Sequence, residues 1–373
     1  MNHKTPMVRL GDYIEVCNER NYDLRYDASF IEGVNSDGTF CPTKAQTIDI
    51  DLKPYKIVRN GDFVYNPSRL NIGSLSYRRT GLCIVSHLYV VFHLNSKGQQ
   101  LIEPCYLWLF FKRDEFKRLI DYRNFGSQRP EFNFYQMCEI EIPLPSIEVQ
   151  RDLVEIYEGL EKIVSENEVL TKQMESICHD FIVDCNYKYP KVILGDWIEE
   201  CDERNRESLY PLEAVRGIST EKAFIATKAN MDGVSLLNYK IAKIDNFAYN
   251  PSRINLGSIA LNKDKTYIVS PMYIVFRIKD ECISELVPDF LTIWFSRPEF
   301  NRSALFYAAG SVRDVFGFKE MQSVTIPLPP KDVQDAIVAI HRCAQEYKAI
   351  SQKTKLLMKT ICPALVQKAA QST

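Results

Sequence analysis

Guanidinium and carboxamide side chains can grip an anion or the hydrogen-bonding edge of a base, and in this chain they recur at matched places. The phrase YNPSRLNIGS fills residues 65–74 and YNPSRINLGS fills 249–258, so Arg69 and Asn71 have counterparts in Arg253 and Asn255. Just beyond, LSYRRTG supplies Tyr77, Arg78 and Arg79 where IALNKDK supplies Asn262, Lys263 and Lys265. A further shared arginine sits in GSQR and GSVR, as Arg129 and Arg313. The plain alternative for each is an arginine paired with a nearby carboxylate, or a hairpin charge facing water. Other reactive types form no centre. The eleven cysteines are scattered, odd in number and without a CxxC pair, which reads as reduced thiols. The five histidines lack metal-ligand spacing.

These residues are positioned by a duplication. Residue 65 aligns with 249, and the same offset of 184 aligns LGDYIEVCNERN (10–21) with LGDWIEECDERN (194–205). It also aligns IVSHLYVVF (84–92) with IVSPMYIVF (268–276), and IPLP at Ile142 with IPLP at Ile326. No insertion is needed from 10 to 150. Loops are where insertions normally accumulate, so an unbroken register means two copies of one fold. Within each copy, the β-branched run at 84–92 reads as a strand. EPCYLWLFFKRDEFKRLID and VPDFLTIWFSRPEFNRSAL read as helical after an opening proline. The repeated phrase follows a short apolar strand and is rich in Asn, Pro, Ser and Gly, which places it on a loop. Each copy is therefore expected to be an α+β domain.

After each IPLP the pattern changes to a heptad seam. The first runs Leu153, Ile156, Leu160, Ile163, Asn167, Leu170, Met174, Ile177 and Phe181. The second runs Ile337, Ile340, Ala344, Tyr347, Ser351, Thr354, Met358, Ile361 and Leu365, at the same offset. Either each helix is buried on its own domain, or the two pack on each other, which two matching seams favour.

With 373 residues and 46% apolar content the chain can build two or three real cores. Its net charge of −2 supplies no general field for a polyanion, which counts against a nucleic-acid binder acting alone. No signal-peptide pattern and no membrane-length apolar run is present, so a cytosolic location is expected.

Taken in order and twice over, YNPSR, GSxR, IPLP and the long heptad helix resemble the specificity subunit of type I restriction-modification enzymes. The resemblance spans nearly the whole chain. It implies two tandem target recognition domains, at 1–146 and 187–330, separated by helices at 147–186 and 331–373 that form an antiparallel coiled coil. It implies a non-catalytic, cofactor-free cytoplasmic chain that reads a bipartite sequence on double-stranded DNA. Two adenine-N6 methyltransferase subunits and, through them, ATP-dependent restriction subunits would be its partners, and no membrane is involved. Partner subunits would supply much of the phosphate contact that the neutral charge leaves wanting.

In such a duplicated reader, positions shared by both copies serve fold or phosphate geometry, and positions that differ serve base reading. Arg69, Arg253, Asn71, Asn255, Arg129 and Arg313 fall in the first group. Tyr77, Arg78, Arg79, Asn262, Lys263 and Lys265 fall in the second, with the divergent stretches 35–37 and 219–222 beside them. YNPSR is also similar to the catalytic NPPY loop of amino-methyltransferases. Ser68 and Arg69 stand where that loop needs proline and an aromatic, and no glycine-rich turn is present to hold S-adenosylmethionine. A duplicated methyltransferase and a protein adaptor that never meets DNA are the competing readings.

Overall fold

The computed structural model describes residues 5–43, 50–124, 131–308 and 315–371. The first copy runs β1 (Met7–Arg9), β2 (Ile14–Cys17), β3 (Glu32–Val34), β4 (Phe40–Pro42), β5 (Lys56–Val58), β6 (Phe63–Tyr65), β7 (Leu75–Tyr77), β8 (Cys83–Val85) and β9 (Val90–Leu94). It continues through α1 (Gly98–Leu101), α2 (Pro104–Phe111), α3 (Asp114–Arg123), α4 (Phe134–Cys138), β10 (Glu141–Pro143) and the long α5 (Ile147–Lys188). The second copy repeats this as β11 (Lys191–Ile193), β12 (Ile198–Glu200), β13 (Val215–Ile218), β14 (Phe224–Ala226), β15 (Lys240–Ala242), β16 (Phe247–Tyr249), β17 (Ile259–Leu261), β18 (Tyr267–Val269) and β19 (Ile274–Ile278). It closes with α6 (Pro288–Phe295), α7 (Pro298–Ala308), α8 (Phe318–Gln322), β20 (Thr325–Pro327) and α9 (Lys331–Gln371).

Strands and helices mix in each copy, as the sequence reading expects. An antiparallel sheet runs β2-β9-β6-β7 in the first and β12-β19-β16-β17 in the second. Register is preserved along with order: Phe63 faces Phe92, and Phe247 faces Phe276. Those rings stack at 5.1 Å and 5.0 Å. Around the second sheet, β13 runs parallel to β18, and the first copy keeps that pairing as a single bridge from Ile31 to Ile84.

The apolar helix of each copy is split in two. α2 carries seven buried residues out of eight behind its opening Pro104, and the chain turns at Lys112 and Arg113 before amphipathic α3 begins. α6 and α7 break likewise, at Pro298. α2 packs on the sheet face through Phe111, which meets Phe63 and Phe92 edge to face.

The chain divides into two compact units, one running to Ser165 and taking in the chain from Ser351, the other spanning Glu166–Ile350. Each unit thus holds part of both long helices. In the first, Leu153, Val154 and Tyr157 of α5 share one core with Val366, Met358 and Leu365 of α9. In the second, Cys178, Ile182 and Phe181 of α5 share one core with Ile337, Val338 and Ile340 of α9.

The heptad period holds on α5, but half of its phase is corrected. Leu153 is buried as expected, whereas Ile156, Ile163, Leu170 and Ile177 are exposed. Their neighbours Tyr157, Thr171 and Cys178 are buried instead. At Tyr157 the cause is local: its ring stands edge-on to Trp108 of α2 at 5.5 Å, which sets the face that α5 presents in the first unit, while Cys178 is buried in the core of the second. On α9 the seam follows the sequence reading at Ile337, Ala344, Ser351 and Thr354, all buried, and departs at exposed Ile361.

Candidate nucleic-acid interface

The repeated phrase is first an architectural staple. Asn66 closes an Asx turn by accepting from the Ser68 amide at 3.0 Å, and its own amide donates to the Ser74 carbonyl at 3.0 Å. A 3-10 turn over Leu70–Ile72 follows and buries Leu70. Gly73 then ends the turn at φ +98, where a Cβ would lie 2.4 Å from the Ser36 carbonyl oxygen, so only glycine fits. Ser74 Oγ donates to the Val34 carbonyl at 2.8 Å. The second copy repeats each step. Asn250 accepts from the Ser252 amide at 3.0 Å, Gly257 takes φ +94, and Ser258 Oγ donates to the Ile218 carbonyl at 2.9 Å.

Arg69 and Arg253 cap the N-terminal end of this turn and stay exposed. Among the described residues neither has an ion-pair partner, so the carboxylate pairing that was the alternative for them is not found there. Asn71 donates to Asp121 of α3 at 2.9 Å. Asn255 is half-buried and has no side-chain partner among the described residues, Leu305 standing where Asp121 would be. Arg129 and Arg313 lie outside the described residues.

The divergent loop after the phrase is more structural than its composition suggests. Tyr77 lies half-buried with its ring 4.8 Å from Phe63, and burial pushes its phenol up. Arg78 pairs with Glu32 at 2.6 Å and lies over the Phe40 ring at 4.8 Å. Arg79 pairs with Glu161 of α5 at 2.6 Å while stacking over Trp108 at 4.8 Å. Glu161 also accepts from the Tyr157 hydroxyl at 2.6 Å, so Arg79 helps fasten the long helix to its domain. Asn262 is 1% exposed and donates to the carbonyls of Ala242, Lys243 and Lys265 at 2.8–3.1 Å. Its amide is fully engaged with backbone. Lys263 bridges Asp245 and Asp289, both at 2.8 Å. Of the residues named as candidate base readers, Arg78, Arg79 and Asn262 have internal partners in this structure. Lys265 alone of the set is exposed without a side-chain partner among the described residues.

Two duplicated features escaped the sequence reading. Gln150 is buried at the head of α5, where its Oε1 accepts from the Glu103 amide at 2.8 Å and its Nε2 donates to the Leu101 and Pro145 carbonyls. Gln334 does the same for α9 with Val287, Glu285 and Pro329. These glutamines weld each long helix to the preceding domain. Tyr122 and Phe306, at the same offset of 184, stand 81% and 80% exposed near the ends of α3 and α7. An aromatic on an otherwise polar helix face, repeated at the copy offset, was the available signal.

Among the described residues no helix is long and apolar enough to cross a membrane. Residues 8–177 match the family model of the type I restriction modification DNA specificity domain. No curated protein sequence matches the chain. Among solved structures, the S subunit of a type I restriction-modification system from M. genitalium is 9% identical, with a TM-score of 0.65 over 96% of this chain and 95% of that one. That likeness shows the fold. A chain from the structural basis of complex assembly and conformational transition of the type I R-M system is 18% identical, with a TM-score of 0.47 over 99% of both chains. The HsdS subunit from Thermoanaerobacter tengcongensis is 18% identical, with a TM-score of 0.42 over 98% of this chain and 96% of that one. The stretch 8–177, which holds the first copy, is thus similar to the type I restriction modification DNA specificity domain, and its sequence register is repeated in the second copy.

Proposed function

We propose that each copy is a target recognition domain for one half of a bipartite DNA sequence, and that α5 and α9 form an antiparallel coiled coil spacing the two. In this reading the chain works in the cytoplasm, without cofactor. It carries two adenine-N6 methyltransferase subunits and, through them, ATP-dependent restriction subunits. One observation carries the proposal: two copies keep one scaffold residue by residue, while the loops grafted on it differ. That is the pattern expected of a device reading two different sequences with one geometry. The start of α5 sharing a core with the end of α9, and the end of α5 with the start of α9, supports the antiparallel pairing.

The side chains left for DNA are then Arg69, Arg253, Asn255 and Lys265, with Tyr122 and Phe306 beside them and Arg129 and Arg313 retained as backbone contacts. The net charge of −2 leaves the isolated chain a weak binder, and the methyltransferase partners provide the remaining cationic surface. Exchanging residues 1–144 for the equivalent domain of a related subunit tests the reading, with methylated adenines mapped across the genome. Half of the methylated motif should change and the other half should persist. Simultaneous change in both halves would show that the copies do not read independently.

A further inference from the structure

The first unit keeps a lysine against the glycine of its repeated phrase. Lys117 on α3 places its Cε 3.4 Å from where a Gly73 Cβ would be, and its Nζ pairs with Asp114 at 3.0 Å. In the second unit the equivalent position on α7 is Asn301, and the lysine there is lost. Its place is taken from another element. Lys222, on the turn between β13 and β14, lays its Nζ 3.4 Å from the Cβ position of Gly257. The residue matching Lys222 in the first copy is Gly38.

The replacement is not free of strain. Lys222 adopts φ +61, a left-handed conformation that suits glycine, as Gly38 shows at φ +80. A side chain held there against its backbone preference points to a requirement at its far end. That requirement is not an internal ion pair. The one hydrogen bond that Lys222 Nζ makes among the described residues is to the Gly257 carbonyl, at 3.5 Å. Burial pulls its ammonium down to about 8, a change that a neighbouring anion opposes. At the other end of the same 3-10 turn stands Arg69 or Arg253, exposed and without an ion-pair partner among the described residues. Each unit therefore brackets one three-residue turn with a cation at either end.

We infer that the ammonium beside Gly73 and Gly257 is a contact for a DNA backbone phosphate, supplied by Lys117 in the first unit and by Lys222 in the second. A phosphate looks the same in both half-sites, which explains why the location is kept while the residue supplying it is not. The inference rests on the DNA-recognition reading and names residues for it.

The test uses the chain assembled with the methyltransferase subunit of its own system, titrated with duplexes carrying or lacking the methylated motif at several salt concentrations. Lys222→Gly should weaken binding severalfold on both kinds of duplex. It should also make the slope of log affinity against log salt shallower by about 0.9, the signature of one lost phosphate contact. The methylated motif should stay as it is. Lys222→Gly with Asn301→Lys, which transplants the first unit's solution into the second, should recover affinity and slope together. Glycine relieves the left-handed strain at position 222, so melting of the single variant should match or exceed that of the parent. Unchanged affinity and slope in Lys222→Gly overturns the assignment, as does a loss confined to the cognate duplex or a folded double variant that fails to recover. A parent complex that leaves no footprint on either duplex overturns the recognition reading itself, and this site with it.

Discussion

At the scale of single residues, most of the repeated phrase is spent on building its own loop. Ser74 Oγ and Ser258 Oγ are both buried, each donating to a carbonyl of a neighbouring strand. Ser74→Ala leaves the Val34 carbonyl without that donor and should cost about 1–3 kcal/mol, read as a lower urea midpoint. Ser258→Ala should do the same in its own unit. Asp62 and Asn246 hold equivalent places and differ in a way that pH can reveal. Burial raises the Asp62 carboxyl, although it accepts from the Arg59 amide at 2.7 Å, while Asn246 accepts from the Lys243 amide at 2.6 Å as a neutral group. A raised folded-state value means that the stabilisation is complete below the ordinary carboxylate range, near 4, and is lost as pH rises through the raised value. Asp62→Asn should therefore stabilise the chain at neutral pH and flatten that fall, and urea midpoints that decline over the same window as in the parent would contradict it. What sequence revealed at this scale was residue type and not engagement. Arg79 meets Glu161 across 82 positions and Asn262 reaches the Ala242 carbonyl across 20, and neither distance leaves a local pattern to read.

Among the elements, the long helices show what a heptad does and does not announce. The period was legible on α5, because apolar residues recur every three or four positions. The phase was not, because apolar or small residues occupy both members of pairs such as 156/157 and 177/178, and the choice falls to what each unit's core offers, Trp108 of α2 at Tyr157 and the second core at Cys178. The corrected phase separates two adjacent substitutions. Ile177→Asp, at a position 51% exposed, should change stability by no more than about 0.5 kcal/mol. Cys178→Asp, at 4% exposure, buries an unpaired carboxylate and should cost roughly 3 kcal/mol or more. Equal thermal shifts would mean that the seam does not run through Cys178. If the pair is the ruler between half-sites, inserting one heptad after Ser165 and another after Ile350 keeps every core position in phase. About 10 Å of added helix, at about 1.5 Å per residue, corresponds to roughly three base pairs at about 3.4 Å each. The methylated motif should keep both half-sites and gain that much gap, and an assembled variant with the original gap would remove the helices from that role.

For the molecule as a whole, the duplication was the most legible feature, since one offset of 184 aligns strands, turns and helices alike. What the offset could not convey is that the boundary of a compact unit does not coincide with the boundary of a copy. The first unit closes its core with Val366, fully buried, and with Met358 and Leu365 packed beside it. Removing residues 357–373 should lower the unfolding transition of the first unit by about 1.5–3 kcal/mol for Val366 alone, while the second keeps its own, as limited proteolysis of the two can distinguish. The same arrangement has a consequence in time. A ribosome delivers the first copy before the second, yet the side chains that finish its core emerge only after the second copy. At about 5–20 residues per second, that delay is on the order of ten to forty seconds. By Ile350 the second unit has all of its chain at hand while the first still stands open along α5, so the two halves reach completion in the reverse of the order in which they are made.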